Sequence, residues 1–96
     1  MCNKSSVLFE YDAVKSRANA VKHGIDFEAV RKMWDGVVVV APAKFVGEVR
    51  SLAIGQVDGK FWTAIVTKRG SALRIISARR SRENEIQIYQ NHSSQP

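Results

Sequence analysis

Four consecutive β-strand patterns fill the middle of this 96-residue chain and constrain its fold more than any other feature. The strands are predicted over residues 37–41, 48–56, 61–68 and 72–78. Short turn signals separate the last three, namely Asp58-Gly59 and Arg69-Gly70. Because these strands follow one another without a helix between them, we expect them to form one antiparallel sheet.

Helical patterns lie before and after these strands. Val7–Tyr11 predicts a first strand, and two helices follow it, the first capped by Asp12 and ended by Gly24. Asp26 is predicted to cap the second helix, and a last helix follows Ser81. The predicted order is therefore β-α-α-β-β-β-β-α, an α+β fold in which helices cover one side of an antiparallel sheet.

The early helices are predicted to bury their apolar residues against that sheet. In the first helix this stripe consists of Val14, Ala18 and Val21, spaced by about one and two helical turns. Lys15, Asn19 and Lys22 are predicted to point elsewhere. Neither early helix is then left as an exposed basic recognition helix, so direct binding of this chain to DNA is disfavoured.

The length and composition predict one small domain over residues 1–96, with polar ends at 1–6 and 91–96. The single cysteine, Cys2, can form no internal disulfide. The longest apolar run, residues 37–42, is far too short to span a bilayer, and the N-terminus lacks the apolar segment of a signal peptide. We therefore expect a cytoplasmic protein without a membrane partner.

Positive charge is concentrated near the end of the chain. The net charge is +6, and residues 61–96 hold six basic and two acidic side chains, a balance of +4. The segment Lys68–Arg82 contains all six of these basic residues and no acidic one. Charge fixed to a strand rather than to a tail favours a phosphate-bearing partner, RNA or DNA, although an ordinary solvated surface is the alternative interpretation.

Several classes of chemistry find no support in the sequence. One cysteine and two distant histidines cannot supply the ligands of a zinc or transition-metal centre. No Gly-rich phosphate loop and no Gly-x-Ser-x-Gly motif is present. We therefore predict no metal and no cofactor.

Acidic and basic residues along the strands offer a different chemistry. Glu48 and Arg50 share one face of their strand, while Arg79 and Arg80 end the last strand on opposite faces. Strict alternation places Arg79 on the face of Ile75. If these strands belong to one sheet, Glu48, Arg50 and one of the two terminal arginines could meet at its rim.

Metal-independent RNA cleavage needs a base for the 2′-hydroxyl proton, a cation at the phosphate and a donor for the leaving oxygen. Glu48 or His23 could be the base, and the arginines at positions 50, 79 and 80 could hold the phosphate. Two alternatives remain open. Glu48 and Arg50 could form a surface ion pair of little energy, and His23 could only cap its helix.

Four segments in order resemble the BrnT family of bacterial type II toxins. They are FEYD at 9–12, KHGIDFE at 22–28, GEVRSLAIG at 47–55 and RIISARR at 74–80. The resemblance extends from about Val7 to Tyr89. It implies a RelE-like α+β fold and a ribonuclease that blocks translation. It also implies a BrnA-type antitoxin that supplies DNA binding, in complexes of two toxins and two antitoxins.

The resemblance also indicates candidate residues. The matching polar positions are Lys22, His23, Glu48, Arg50, Arg79 and Arg80. Phosphate-facing residues are expected among them. Contacts with RNA are further predicted for Lys22, Lys68, Arg69 and Arg82.

The chain departs from the family pattern around Arg50. Family members often carry an acid-Arg-aromatic sequence where this chain has Val49-Arg50-Ser51. A non-catalytic homologue that binds RNA or an antitoxin without cutting is therefore the alternative function. DNA contact is expected only through the antitoxin complex.

Overall fold

The computed structural model describes residues 8–45 and 48–93, without the side chains of residues 44, 45, 48, 49 and 93. The strands are β1 (Leu8–Glu10), β2 (Val39–Phe45), β3 (Glu48–Val57), β4 (Lys60–Arg69) and β5 (Ala72–Arg80). The helices are α1 (Ala13–His23), α2 (Phe27–Val30), which continues as a 3₁₀ helix (Arg31–Asp35), and α3 (Glu83–Ser93).

The strands form one five-stranded sheet in the order β1-β5-β4-β3-β2. The mixed α+β fold predicted from the sequence is confirmed, but the expectation of a wholly antiparallel sheet is wrong. Strands β2 to β5 pair antiparallel, whereas β1 pairs parallel with β5. The chain between β1 and β5 contains two helices and three strands, and a connection of that length can return in the parallel direction.

Helices cover both faces of the sheet, not one face as predicted. On the first face, α2 and the 3₁₀ helix bury Phe27, Val30 and Met33 against strand residues that include Ala53 and Ala64. On the second face, α3 buries Tyr89 in a smaller cluster that includes Val39 and Ile54. Strands with helices on both faces need apolar residues on both, which explains the adjacent buried pair Ala53-Ile54.

The helix caps lie where the sequence predicts them. The carboxylate of Asp12 accepts hydrogen bonds from the backbone N–H groups of Val14 and Lys15, at 2.8 and 3.1 Å. Gly24 ends α1 with a φ of 84°, in the left-handed region that favours glycine. Asp26 begins α2 by accepting from the Ala29 N–H at 2.8 Å.

Helix α1 faces the opposite way from the prediction. Val14 and Val21 are 65% and 90% exposed, and the buried residues of α1 are Ser16 and Asn19. The Asn19 side-chain amide donates to the carbonyls of Ile25 and Ala78, at 2.7 and 2.9 Å, and its oxygen accepts from the Ala78 N–H at 3.2 Å.

The reason for this orientation lies at the edge of the sheet. Strand β1 pairs only with residues 72–74 of β5, so it does not reach Ala78. Buried backbone groups need partners, and one amide side chain can serve a donor and an acceptor together. The apolar stripe alone could not reveal this requirement.

An irregularity in β5 changes which residues share a face. The register between β4 and β5 shifts at Ile65/Val66, so that Val66 lies opposite Ile75 while Ile65 lies opposite Ser77. Because of this bulge, Ile75 and Ala78 both belong to the first-face core. The alternation that placed Arg79 on the face of Ile75 is therefore wrong, and Arg79 lies on the second face.

Candidate nucleic-acid interface

The predicted site residues lie at two opposite ends of the sheet. Strands β3 and β5 are both antiparallel to β4, so the start of β3 and the end of β5 are far apart. Arg79 is opposite Thr63 in β4, while Arg50 precedes Ser51, which is opposite Val66. Four residues of strand therefore separate them, about 13 Å. The prediction that Glu48 and Arg50 meet Arg79 or Arg80 is wrong for this reason.

At the end of the sheet where β3 begins, which we call the Arg50 end, basic side chains surround one open cleft of about 380 Å³. The cleft is lined by Lys15, Arg50, Thr67, Lys68, Arg69, Arg74 and Ile76. We call it the cationic cleft. Its five basic residues come from α1, β3, β4 and β5, so the folded sheet brings them together from distant parts of the sequence.

The charges of the cationic cleft are suited to phosphate. Lys68 and Arg69 are exposed, and Arg50 and Arg74 are partly buried. Arg74 Nη1 lies 3.5 Å from Glu10 Oε1, a weak contact between partly exposed side chains. One arginine guanidinium group can donate two parallel hydrogen bonds to the oxygens of a phosphate, and a lysine ammonium group adds a compact positive charge.

An apolar pocket of about 330 Å³ adjoins this cleft. Thr67 and Lys68 line both. Trp34 forms part of the apolar wall, and its ring meets Phe9 edge-on, with 5.0 Å between ring centroids. The ring is therefore held in place on the first face of the sheet, whereas strand alternation places Arg50 and Arg74 on the second face.

Glu48 begins β3, two residues before Arg50. Its side chain lies outside the residues that the structure describes, so its predicted role as base stays a prediction. Of the other predicted residues, Arg50, Lys68 and Arg69 all line the cationic cleft.

Arg79 lies at the opposite end of the sheet, the Arg80 end, and binds Glu85 of α3. Its Nη1 and Nη2 donate to the two carboxylate oxygens at 2.8 and 2.7 Å. Glu85 is only 4% exposed and also accepts from Thr63 Oγ1 and from the backbone N–H of Arg82, at 3.0 and 2.8 Å. The guanidinium group predicted to hold phosphate is therefore occupied by a carboxylate.

The electrostatics of Glu85 follow from this setting. Burial by itself raises the pKa of the carboxyl group, but the hydrogen bonds from Arg79, the Arg82 backbone and Thr63 outweigh it. The pKa of Glu85 falls from 4.5 to about 2. The hydrogen bond to Glu85 also raises the pKa of Arg79. Both groups are thus charged at neutral pH, as a structural ion pair between β5 and α3.

The remaining predicted residues also lie at the Arg80 end. Arg80 is exposed, with its guanidinium carbon 5.5 Å from the centroid of the Trp62 ring. Gly24, next to His23, lines a different cleft together with Asp58 and Trp62 of the β3–β4 hairpin region. His23 and its neighbour Lys22 are therefore remote from Arg50. Arg82, exposed at the start of α3, is remote from it as well.

Lys15 and Arg74 of the cleft were not predicted from the sequence as site residues. Arg74 had a signal, because it belongs to the basic segment that predicted a phosphate-bearing partner. Lys15 had none, since a lysine on a helix surface is usually only solvated and its neighbours in the cleft come from strands far along the chain.

Residues that carry the family resemblance hold the early elements together. The Tyr11 hydroxyl, from FEYD, donates to Glu28 Oε1, from KHGIDFE, and this hydrogen bond raises the pKa of Tyr11. The rings of Tyr11 and Phe27 meet edge-on at 5.7 Å. These motifs therefore join α2 to the end of β1.

Among the residues that the structure describes, no group of three or more His, Cys, Asp or Glu side chains could hold a metal ion. Within the same ranges, 8–45 and 48–93, no helix is long and apolar enough to cross a membrane.

A family model described as the ribonuclease toxin BrnT of type II toxin–antitoxin systems matches residues 11–85. The chain belongs to the BrnT toxin family. The resemblance predicted from the four segments is confirmed, and all five basic residues of the cationic cleft lie within the matched span. Membership implies an RNA substrate and an antitoxin partner. Among curated proteins, none gives a significant match to this BrnT-family chain.

Proposed function

We propose that this BrnT-family chain is a metal-independent endoribonuclease that inhibits translation by cutting RNA, with the scissile phosphate held in the cationic cleft. The observation that carries the proposal is the convergence of Lys15, Arg50, Lys68, Arg69 and Arg74 on one cleft. No comparable convergence is found at the Arg80 end, where Arg79 is bound to Glu85 in the described part of the chain.

The proposed reaction is an internal transfer of the phosphoryl group. A base removes the 2′-hydroxyl proton, and the 2′-oxygen attacks the phosphorus. The bond to the 5′-oxygen breaks, leaving a 2′,3′-cyclic phosphate and a 5′-hydroxyl group that takes up a proton. Arg50 and Arg74 stabilise the negative charge that develops on the phosphate oxygens. The ammonium groups of Lys15 and Lys68 are the available proton donors of the cleft.

Glu48 is the better proposal for the base. It precedes Arg50 by two residues in β3, whereas His23 is at the Arg80 end of the sheet. His23 could not share a phosphate with Arg50 across the length of β4. The apolar pocket on the first face shares Thr67 and Lys68 with the cleft at this end of the sheet. It is proposed to hold a base of RNA that passes around this end, against Trp34, because aromatic rings stack on every base.

The rest of the proposal concerns assembly. The fold is proposed to be RelE-like, and the partner a BrnA-like antitoxin in a complex of two toxins and two antitoxins in the cytoplasm. DNA contact belongs to the antitoxin. Family membership supports the antitoxin, and the net charge of +6 supports an anionic partner.

The test is RNA cleavage by the purified chain in the presence of EDTA, with mapping of the ends. We expect cleavage that leaves cyclic phosphate and 5′-hydroxyl ends. It should be lost in the double variant Arg50→Gln/Arg74→Gln and retained in the control Lys60→Gln. Intact RNA, together with normal growth of cells that express the chain alone, would establish the non-catalytic binding module instead. Cleavage only with added metal would overturn metal independence.

A further inference from the structure

The outer surface of α1 carries an apolar stripe that nothing in the described part of the chain covers. Val14, Ala18 and Val21 are all exposed, Val14 and Val21 by 65% and 90%. They are spaced at i, i+4 and i+7, so they lie along one side of the helix. Ser16 and Asn19 occupy the opposite side and face the sheet.

Local helix formation does not account for this stripe. Valine is a poorer helix former than the straight-chain residues because its branched side chain loses rotamer freedom. The stripe also gains nothing from the core, since the core side of α1 consists of hydrogen-bonded polar residues. Exposed apolar residues in a row rather than singly are typical of a contact surface.

Cations border the stripe on both sides. A helix turns by about 100° per residue, which places Lys15 and Lys22 on one side of the valines and Arg17 on the other. Helix α1, with the sequence AVKSRANAVKH, contains no acidic residue. A partner that covers the valines therefore meets positive charge on both flanks of the stripe, with the Asp12 carboxylate at its N-terminal end, which favours carboxylates along the sides of the partner's own apolar contacts.

We propose that this α1 stripe is a docking surface for an acidic, amphipathic segment of the antitoxin. The inference rests on the proposed function only in taking the antitoxin as the partner. Apolar side chains of that segment pack on Val14, Ala18 and Val21, and its carboxylates pair with the flanking lysines and arginine.

Other occupants fit this surface less well. A second copy of the chain would bring another net charge of +6 and place the same three cations against each other. RNA would satisfy the cations but would offer its phosphates and sugars to the valines, which gain nothing from them. An acidic protein segment satisfies both parts of the surface.

The position of Lys15 connects this docking to the control of activity. Lys15 belongs both to the flank of the stripe and to the lining of the cationic cleft. A carboxylate that pairs with Lys15 therefore lies at the edge of the cleft and lowers its attraction for phosphate. The segment on α1 would then neutralise the toxin by covering the approach to the site as well as by charge.

The test uses the antitoxin encoded beside the toxin gene, purified and titrated calorimetrically into the toxin. In Val14→Ser/Val21→Ser, the affinity should fall roughly ten- to hundredfold, because two apolar contacts are lost. The matched control is Val37→Ser, at a valine that is 57% exposed but lies outside α1, and its affinity should stay within about twofold of the unchanged chain. Circular dichroism verifies that both variants are folded.

The outcomes separate this inference from the proposed function. RNA cleavage by the free toxin is measured in parallel and should be the same in both valine variants. An unchanged antitoxin affinity in Val14→Ser/Val21→Ser overturns the docking surface. So does a toxin dimer that the same variant converts to monomer, since a second copy would then occupy the stripe. Loss of affinity in a chain that cuts no RNA keeps the docking surface and removes only the ribonuclease proposal.

Discussion

The Arg79 guanidinium and the Glu85 carboxylate form a two-hydrogen-bond ion pair that fastens α3 to the second face of the sheet. Their side chains are 20% and 4% exposed. The sequence predicted a phosphate-binding role for Arg79, and the structure gives it a different partner. Any loss of activity in an Arg79 variant must therefore be separated from loss of the folded state.

Replacing Arg79 with alanine is expected to lower the free energy of unfolding by about 3 kcal/mol, because it leaves the buried Glu85 carboxylate without its cation. The matched control is Arg80→Ala, which removes an exposed guanidinium near the Trp62 ring and should cost about 1 kcal/mol or less. Urea denaturation measures both. Equal midpoints for the two variants would contradict a structural role for the pair.

Acid is expected to weaken the same pair. The pKa of Glu85 is lowered from 4.5 to about 2, so the stabilisation is complete above pH 4.5 and is lost as the pH falls towards 2. The difference corresponds to about 3 kcal/mol at neutral pH. The free energy of unfolding, measured from pH 7 to 2, should decline more steeply in the unchanged chain than in Glu85→Gln. Parallel curves would show that Glu85 does not titrate with folding.

The location of the RNA site is tested by the salt dependence of RNA binding. Lys68→Gln/Arg69→Gln removes two exposed cations of the cationic cleft, and the slope of log affinity against log salt should fall by about 1.4, at about 0.7 for each phosphate contact. The control, Lys60→Gln/Arg82→Gln, removes the same charge from the Arg80 end. If the control lowers the slope and the cleft variant does not, the phosphates are bound at the Arg80 end, which contradicts the proposal.

Asn19 is expected to be more important for stability than any apolar residue of α1. Asn19→Ala leaves the N–H and C=O of Ala78 without their partner and should destabilise the chain by about 3 kcal/mol. Lys22→Ala, on the exposed side of the same helix, should change stability by less than about 0.5 kcal/mol. Hydrogen exchange at the Ala78 amide gives a second measure. Unchanged protection of this amide in Asn19→Ala would show that the side chain is dispensable there.

Local patterns were sufficient for features that depend on neighbouring residues. The helix caps at Asp12, Gly24 and Asp26 depend on side-chain hydrogen bonds and on the backbone freedom of glycine. The four central strands depend on the alternation of apolar residues. A short stretch of chain determines each of these properties by itself. The family could also be predicted, because four short segments in order are a property of the sequence alone. The site could be predicted only in part: Arg50, Lys68 and Arg69 share the cleft, but the other two basic residues that line it, Lys15 and Arg74, were not predicted.

Relations across the sheet required the tertiary structure. The alternation of side chains along a strand predicts which face a residue lies on, but it does not predict which ends of two strands lie together. The distance between Arg50 and Arg79 could therefore not be predicted from the sequence. The bulge near Ile65 arises only when β4 and β5 pair. The same is true of the edge of β5 at Ala78, which β1 does not reach. The sequence by itself thus determined the elements, the excess of positive charge and the family. Strand order and backbone pairing decided that Lys15 and Arg74 join the cleft, that Arg79 binds Glu85, and that the valines of α1 face outward.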